Sequence, residues 1–172
     1  MTPDENIILI GMPGVGKSTV GVLLAKATGR NFIDTDVVLQ ALECRRLQAI
    51  LDAEGTAAFR RIERAAVLSL DLRGHVVATG GSVVYSDDAM RHLKATGPAV
   101  HLELALPLLE RRLTDLDVRG VVMEPGQTLA ELYDERMGLY RRWADATIDC
   151  AGKTHEQIVE EILRALDPPI SS

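Results

Sequence analysis

Aromatic side chains are scarce in this sequence. Phe, Tyr and Trp make up 3% of its 172 residues, so the 47% hydrophobic content rests on Ala, Leu, Val and Ile. That usage suits helices packed on a largely buried parallel sheet. Cysteine is rare as well: Cys44 and Cys150 lie far apart, with no CxxC spacing and no paired histidine pattern. A disulfide framework and a zinc site are therefore not expected, and both thiols should be reduced. Basic charge is in deficit, 19 Lys and Arg against 25 Asp and Glu, for a net charge of −6. This argues against the broad phosphate-backbone footprint that a nucleic-acid partner requires. Long apolar runs are missing too. No stretch approaches the ~18 residues of a membrane span, and the opening MTPDENIILI is acidic where a signal peptide would be basic. The expectation is one cytoplasmic domain over 1–172, acting as a monomer without membrane contact.

What is present is an alternation of short strands and helices. The apolar run Ile7 to Ile10 stops at Gly11-Met12-Pro13-Gly14-Val15-Gly16, and a helix begins at Lys17 or Ser18 with Val20, Leu23, Leu24 and Ala27 on one face. Thr28-Gly29 ends it. Asn31 to Ile33 reads as a strand, and Asp34-Thr35-Asp36 stands at its exit where another helix starts. Helical patterns cover 47–53 and, after Glu54-Gly55-Thr56, 57–70, with Phe59, Ile62, Ala66 and Leu70 inward. His75 to Thr79 reads as a buried strand emptying into Gly80-Gly81-Ser82. Helix 87–95, strand 99–104 and helix 107–114, with proline in its first turn, follow. Residues 115–127 lack periodicity and are punctuated by Gly120, Pro125 and Gly126, the mark of a lid loop. Helix 129–143, strand 146–149, helix 156–166 and a frayed tail complete the chain. Such alternation predicts a layered α/β fold with a mostly parallel sheet.

Gly11, Gly16, Lys17 and Ser18 satisfy G-x-x-x-x-G-K-[ST] between a predicted strand and a predicted helix. The spacing follows from the chemistry. Glycines let successive amides of Gly14, Val15, Gly16, Lys17, Ser18 and Thr19 converge on a phosphate, and the new helix aims its positive dipole end at the same anion. Lys17 then reaches the β- and γ-oxygens of ATP while the Ser18 hydroxyl meets Mg²⁺. A glycine-rich turn that merely precedes a lysine is the bland alternative.

A phosphate loop does not separate a kinase from a GTPase, so the other polar residues must decide. Asp34 and Asp36 alternate on an extended chain, placing one toward the loop and magnesium and the other toward a neighbouring pocket; a plain N-cap role for Asp36 competes with this. Arg60 and Glu63 share a helix side and can pair, which would fix Arg60 for a carboxylate or phosphate, unless they form only a solvated face. Thr79-Gly80-Gly81 offers amides at a strand's C-terminal end, or is simply a turn. Arg119 can close over the nucleotide. Arg136, or the pair Arg141 and Arg142, can anchor an anion, or can be ordinary surface.

Taken together, GMPGVGKST at 11–19, FIDTD at 32–36, EGTAAFRRIE at 54–63, ATGGS at 78–82, VRG at 118–120 and ERMGLY at 135–140 resemble the shikimate kinase family over nearly the whole chain. The resemblance implies a three-layer P-loop kinase fold, with helices on both faces of a five-stranded, mostly parallel sheet and a mobile lid. It implies transfer of the ATP γ-phosphoryl group, with Mg²⁺, to shikimate, giving shikimate 3-phosphate in aromatic amino acid biosynthesis. By the same likeness Asp34 sits near Mg²⁺, Asp36 accepts a hydrogen bond from the reacting hydroxyl, Arg60 and Arg136 hold the acceptor carboxylate, Gly81 contacts it through the backbone, and Arg119 is the lid arginine. Three departures stand out. Ser82 replaces a third glycine, Arg119-Gly120-Val121 replaces Arg-Pro-Leu, and Gly138 stands where the family has proline. A different small hydroxy acid, sugar acid or nucleotide as acceptor, and a nucleotide-binding regulator without catalysis, remain as alternatives.

Overall fold

In the computed structural model, which describes residues 1–115 and 121–167, five strands form one sheet in the order β2-β3-β1-β4-β5, every pair parallel. β1 (Ile7–Ile10) occupies the centre, and its four residues are fully buried because the sheet is covered on both faces. A continuous apolar run, with no alternation, is what that position demands. At roughly 1.5–3 kcal/mol for each buried Ile or Leu side chain, this strand is the main anchor of the fold.

α1 (Lys17–Thr28) leads from β1 to β2 (Asn31–Asp34), at the far edge, while α2 (Thr35–Glu43) and α3 (Leu47–Leu68) lead back to β3 (His75–Ala78). The first connection runs one way along the sheet and the later ones run the other. Right-handed crossovers therefore put α1 on one face and α3, α4 (Asp87–Lys94), α5 (Leu106–Asp115) and α6 (Leu129–Trp143) on the opposite face. α7 (His155–Leu166), after β4 (Ala99–Glu103) and β5 (Ala146–Asp149), packs beside α1. The chain leaves β1 and β3 toward opposite faces, which opens a crevice at their C-terminal ends, the place where parallel α/β sheets bind ligands.

Several details differ from the sequence reading. α1 buries Val20, Gly21, Leu24 and Ala25, and Ala27 is exposed: with no side chain on Gly21, the Phe32 ring lies directly against the helix and rotates the buried face. The break expected at Gly55 is present: α3 is two helical segments that meet at a kink there, Gly55 at φ 77° and ψ 173° being non-helical. α3 ends at Leu68 because the Ser69 hydroxyl turns back onto the Ala66 carbonyl at 2.7 Å. A short 3₁₀ turn, Val83–Tyr85, follows Ser82 and buries both valines. Of the expected lid, residues 116–120, Arg119 among them, lie outside the described residues, as does most of the expected tail. A small second core of Leu39, Ile50, Phe59, Ala66 and Val122 joins α2, α3 and the stretch after residue 120, apart from the main sheet core.

Candidate active site

The loop after β1 turns into α1 at Gly16, whose φ of 106° only glycine adopts readily. No side chain caps α1 and no acidic residue occupies its first turn. α6 and α7, by contrast, are each closed by a complete capping box, Thr128 with Glu131 and Thr154 with Gln157. The orphan amides of α1 are thus left for an outside anion, backed by the helix dipole. Lys17 Nζ folds over the loop and donates to the carbonyls of Gly11 at 2.8 Å and Met12 at 3.0 Å. Burial pushes its pKa down to about 8, opposed by the charges of Asp36 and Asp34.

Asp34 and Asp36 divide their work. Asp34 Oδ2 accepts from the Ser18 hydroxyl at 2.6 Å, and its Oδ1 accepts from the Asp36 N–H at 2.9 Å, so Asp34 is the N-cap of α2. The capping role left open for Asp36 thus falls to Asp34, and the Asp36 carboxylate faces a cavity. Burial raises the Asp36 pKa to about 6, with the Asp34 charge adding to the rise and Lys17 opposing it. Among the described residues no cluster of three or more His, Cys, Asp or Glu side chains can hold a metal. A cation here would rely on Ser18, Asp34 and a nucleotide's own oxygens, a hard-oxygen donor set that fits magnesium.

The cavity beside Asp36 measures about 60 Å³ and is also lined by Pro13, Lys17, Glu63, Ser82 and Arg136. Arg136, on α6, is completely buried. Its Nη2 donates to the Val122 carbonyl at 2.7 Å, its Nε reaches the Tyr85 hydroxyl at 3.4 Å, and its Nη1 has no partner. A Cβ on Gly81 would stand 2.9 Å from that Nη1, so a side chain there would press on the guanidinium. The Gly81 carbonyl is held by the Tyr140 hydroxyl at 2.8 Å, and its N–H donates to no described residue.

Arg60 lies with its guanidinium 4.0 Å from the centre of the Tyr85 ring, and Arg136 approaches the same ring at 5.4 Å. Both distances suit cation–π attraction, which lets two cations share one neighbourhood. The expected Arg60–Glu63 pair does not form. The inner face of α3 buries Glu63 with Phe59, Ala66 and Val67, where its Oε2 accepts from the Ser82 hydroxyl at 2.6 Å. Arg60 sits at the edge of that face and meets Glu124 Oε1 at 3.4 Å instead. Burial pushes the Glu63 pKa up to about 7; the Ser82 hydroxyl opposes the rise and the Asp36 charge adds to it. Three buried atoms here lack partners: Arg60 Nε, Arg136 Nη1 and Glu63 Oε1. Each unmet group costs about 1–3 kcal/mol, a cost that a ligand carrying an anion and a hydroxyl would remove.

Comparison with known proteins agrees with this geometry. A family model described as shikimate kinase matches residues 13–167. The chain belongs to the shikimate kinase family. Among its relatives, a shikimate kinase of Caldanaerobacter subterraneus subsp. tengcongensis is 36% identical over 94% of this chain and 95% of its own. One from Thiobacillus denitrificans is 36% identical over 97% and 93%. The solved structure of an Acinetobacter baumannii shikimate kinase in complex with shikimate superposes with a TM-score of 0.83 at 31% identity, covering 93% of this chain and 91% of that one.

The structure thus brings Lys17, Ser18, Asp34, Asp36, Arg60, Gly81 and Arg136 together around one crevice. Arg141 and Arg142 do not join it; they pair with Glu103 and Asp87, both at 3.0 Å, on the exposed side of α6. The family departure at Gly138 lies on an open stretch of α6, where an added Cβ meets nothing within 4 Å. Sequence reasoning did not single out Tyr85 or Arg112, and it read His155 as an ordinary residue. Arg112 Nη1 donates to the Val15 carbonyl at 3.0 Å, and a Cβ on Gly16 would lie 3.6 Å from His155 Nε2. Neither residue belongs to the phosphate-loop motif, and only its place near a helix end could have drawn attention to His155.

Proposed function

We propose that this kinase transfers the γ-phosphoryl group of ATP to a hydroxyl of shikimate, with Arg60 and Arg136 gripping the acceptor carboxylate. The observation that carries this reading is the set of unpartnered buried atoms, Arg60 Nε, Arg136 Nη1 and Glu63 Oε1, gathered beside the phosphate loop. Two guanidinium donors call for a carboxylate, and a carboxylate oxygen next to Asp36 calls for a hydroxyl. The family likeness and the shikimate held by the Acinetobacter baumannii protein support the same acceptor.

The loop amides and Lys17 bind the phosphates, while Ser18 and Asp34 are the groups that would hold Mg²⁺. When bound, that ion neutralises charge on the phosphate oxygens. Asp36, with a pKa of about 6, is largely anionic at neutral pH, so it can orient the attacking hydroxyl and take its proton as the phosphoryl group arrives. The Gly81 N–H adds a fixed donor to the acceptor. The family likeness assigns Arg119 to the lid. Arg112 and His155, flanking the loop, form the side on which the nucleoside would lie. A coupled ADP-release assay over a panel of hydroxy acids, sugar acids and nucleoside monophosphates tests the reading. Shikimate should be the fastest acceptor by about a hundredfold or more; a panel in which a sugar acid or a nucleotide outpaces it would overturn the assignment.

A further inference from the structure

We propose that Ser82 is a positioning residue for the acceptor: through Glu63 it aims a second carboxylate oxygen, beside that of Asp36, at the hydroxyls of the bound molecule. The inference rests on the acceptor reading above and goes beyond it, since the usual family pattern has glycine at this place and no hydroxyl to offer.

Ser82 and Glu63 are both nearly inaccessible, at 2% and 3% exposure, and the 2.6 Å bond between them uses only Oε2. Oε1 is left unpartnered. A Cβ on Gly80 would collide with Glu63 Oε1 and stand 2.7 Å from Asp36 Oδ1, so the two oxygens border the same small space. Two converging acceptors suit neighbouring hydroxyls on one molecule, one of them the reacting group. The acceptor class this selects is a polyhydroxy acid over an acid with a single hydroxyl.

The serine also settles a competition. Arg60 Nε and Arg136 Nη1 are buried cationic donors without partners, and an unrestrained Glu63 carboxylate would be drawn to them. Such a pair would occupy the groups assigned to the acceptor's carboxylate and would remove the acceptor oxygen meant for its hydroxyl. By holding Oε2, Ser82 keeps the glutamate and the arginines apart. The charged and titratable groups facing Glu63 are Asp36, Arg136, Arg60, Lys17 and the Tyr140 hydroxyl. With the Ser82 donor removed, Glu63 has less to stabilise its anion and takes up a proton at higher pH.

Steady-state kinetics of the full-length protein between pH 5.5 and 9, alongside carbon-13 NMR of labelled glutamate carboxyls with Glu63→Gln providing the assignment, tests this. In Ser82→Ala the KM for shikimate should rise about tenfold while kcat and the KM for ATP stay within about twofold. The acid limb of 1/KM and the Glu63 titration should both move to higher pH. Ser82→Thr, which keeps the hydroxyl, should restore both. Ser82→Gly, which also removes the hydroxyl, gives the same readout should Ser82→Ala fold poorly. An unmoved acceptor KM, or an unmoved Glu63 titration, overturns the role of Ser82. A wild-type protein inert toward shikimate instead overturns the acceptor assignment, and the acceptor-free NMR titration still decides whether Ser82 governs Glu63.

Discussion

The two sides of the crevice are made of different material. On the side proposed for phosphate the groups on offer are main-chain amides of one unbroken loop and the uncapped start of α1, with Lys17 and Ser18 as the side chains. On the acceptor side they are side chains from α2, α3, the turn after β3 and α6, several of them buried and without partners. The first side needs glycines and a strand-to-helix turn and little else. The second depends on how distant elements pack, and it carries an unmet polar cost that the proposed acceptor would relieve. Substitutions should therefore separate the two sides: of the five below, those at Arg136 and Gly81 test the division directly, and the other three frame it with a residue shared by both sides and two outside them.

The largest effect is expected at Lys17, which touches both sides. Lys17→Met should lower kcat/KM by on the order of a thousandfold, about 4 kcal/mol, with every acceptor in a coupled assay. Next comes Arg136→Ala, which should raise the acceptor KM about a hundredfold while calorimetric affinity for ATP changes less than about twofold. An equal loss of ATP affinity would break the division.

His101 belongs to neither side. It is buried on β4, stacked on Tyr140 at a centroid distance of 5.0 Å, with both ring nitrogens unpartnered. Burial lowers its pKa from 6.5 to about 4, against the pull of Glu103 and with Arg141 and Lys17 adding to the fall. A base that resists protonation in the folded state lends stability that is full above the unfolded value of 6.5 and is lost as pH falls toward 4. Denaturant titrations should show His101→Phe escaping about 2 kcal/mol of that acid loss, with kinetics at neutral pH little changed.

Gly81→Ala places a methyl group 2.9 Å from Arg136 Nη1 and 3.1 Å from Pro13 Cδ. The acceptor KM should rise about tenfold and ATP binding should hold, as calorimetry with each ligand would report. The smallest effect is expected at Arg142. Its exposed pair with Asp87 should be worth less than about 0.5 kcal/mol, so Arg142→Ala should leave both melting behaviour and turnover in place.

The same contrast governs how far the sequence could be read. The α/β alternation was legible because buried strands and amphipathic helices carry their period in consecutive residues, and the phosphate loop because its whole mechanism lies within eight positions. Asp34, Asp36, Arg60 and Arg136 were visible as candidates through motif and family likeness. Their partners were not. That Glu63 would turn inward to Ser82, leaving Arg60 to Glu124 and the Tyr85 ring, depends on how α3 rolls against the turn after β3, and no local pattern encodes that. Tyr85 gave no signal because a lone tyrosine after a glycine turn has no periodicity to betray the two guanidinium groups it supports. Ser82 was noticed only as a departure from a glycine, and its function became readable once its hydroxyl had an address.

Phosphorus-31 NMR of the protein with ATP and magnesium, recorded before and after shikimate is added, tests the central claim most directly. The account predicts that the γ-phosphate signal is stable until shikimate arrives and is then replaced by a single phosphomonoester signal in equal amount to the ADP formed. Consumption of ATP to inorganic phosphate regardless of shikimate, or no consumption at all with a folded protein, would contradict it.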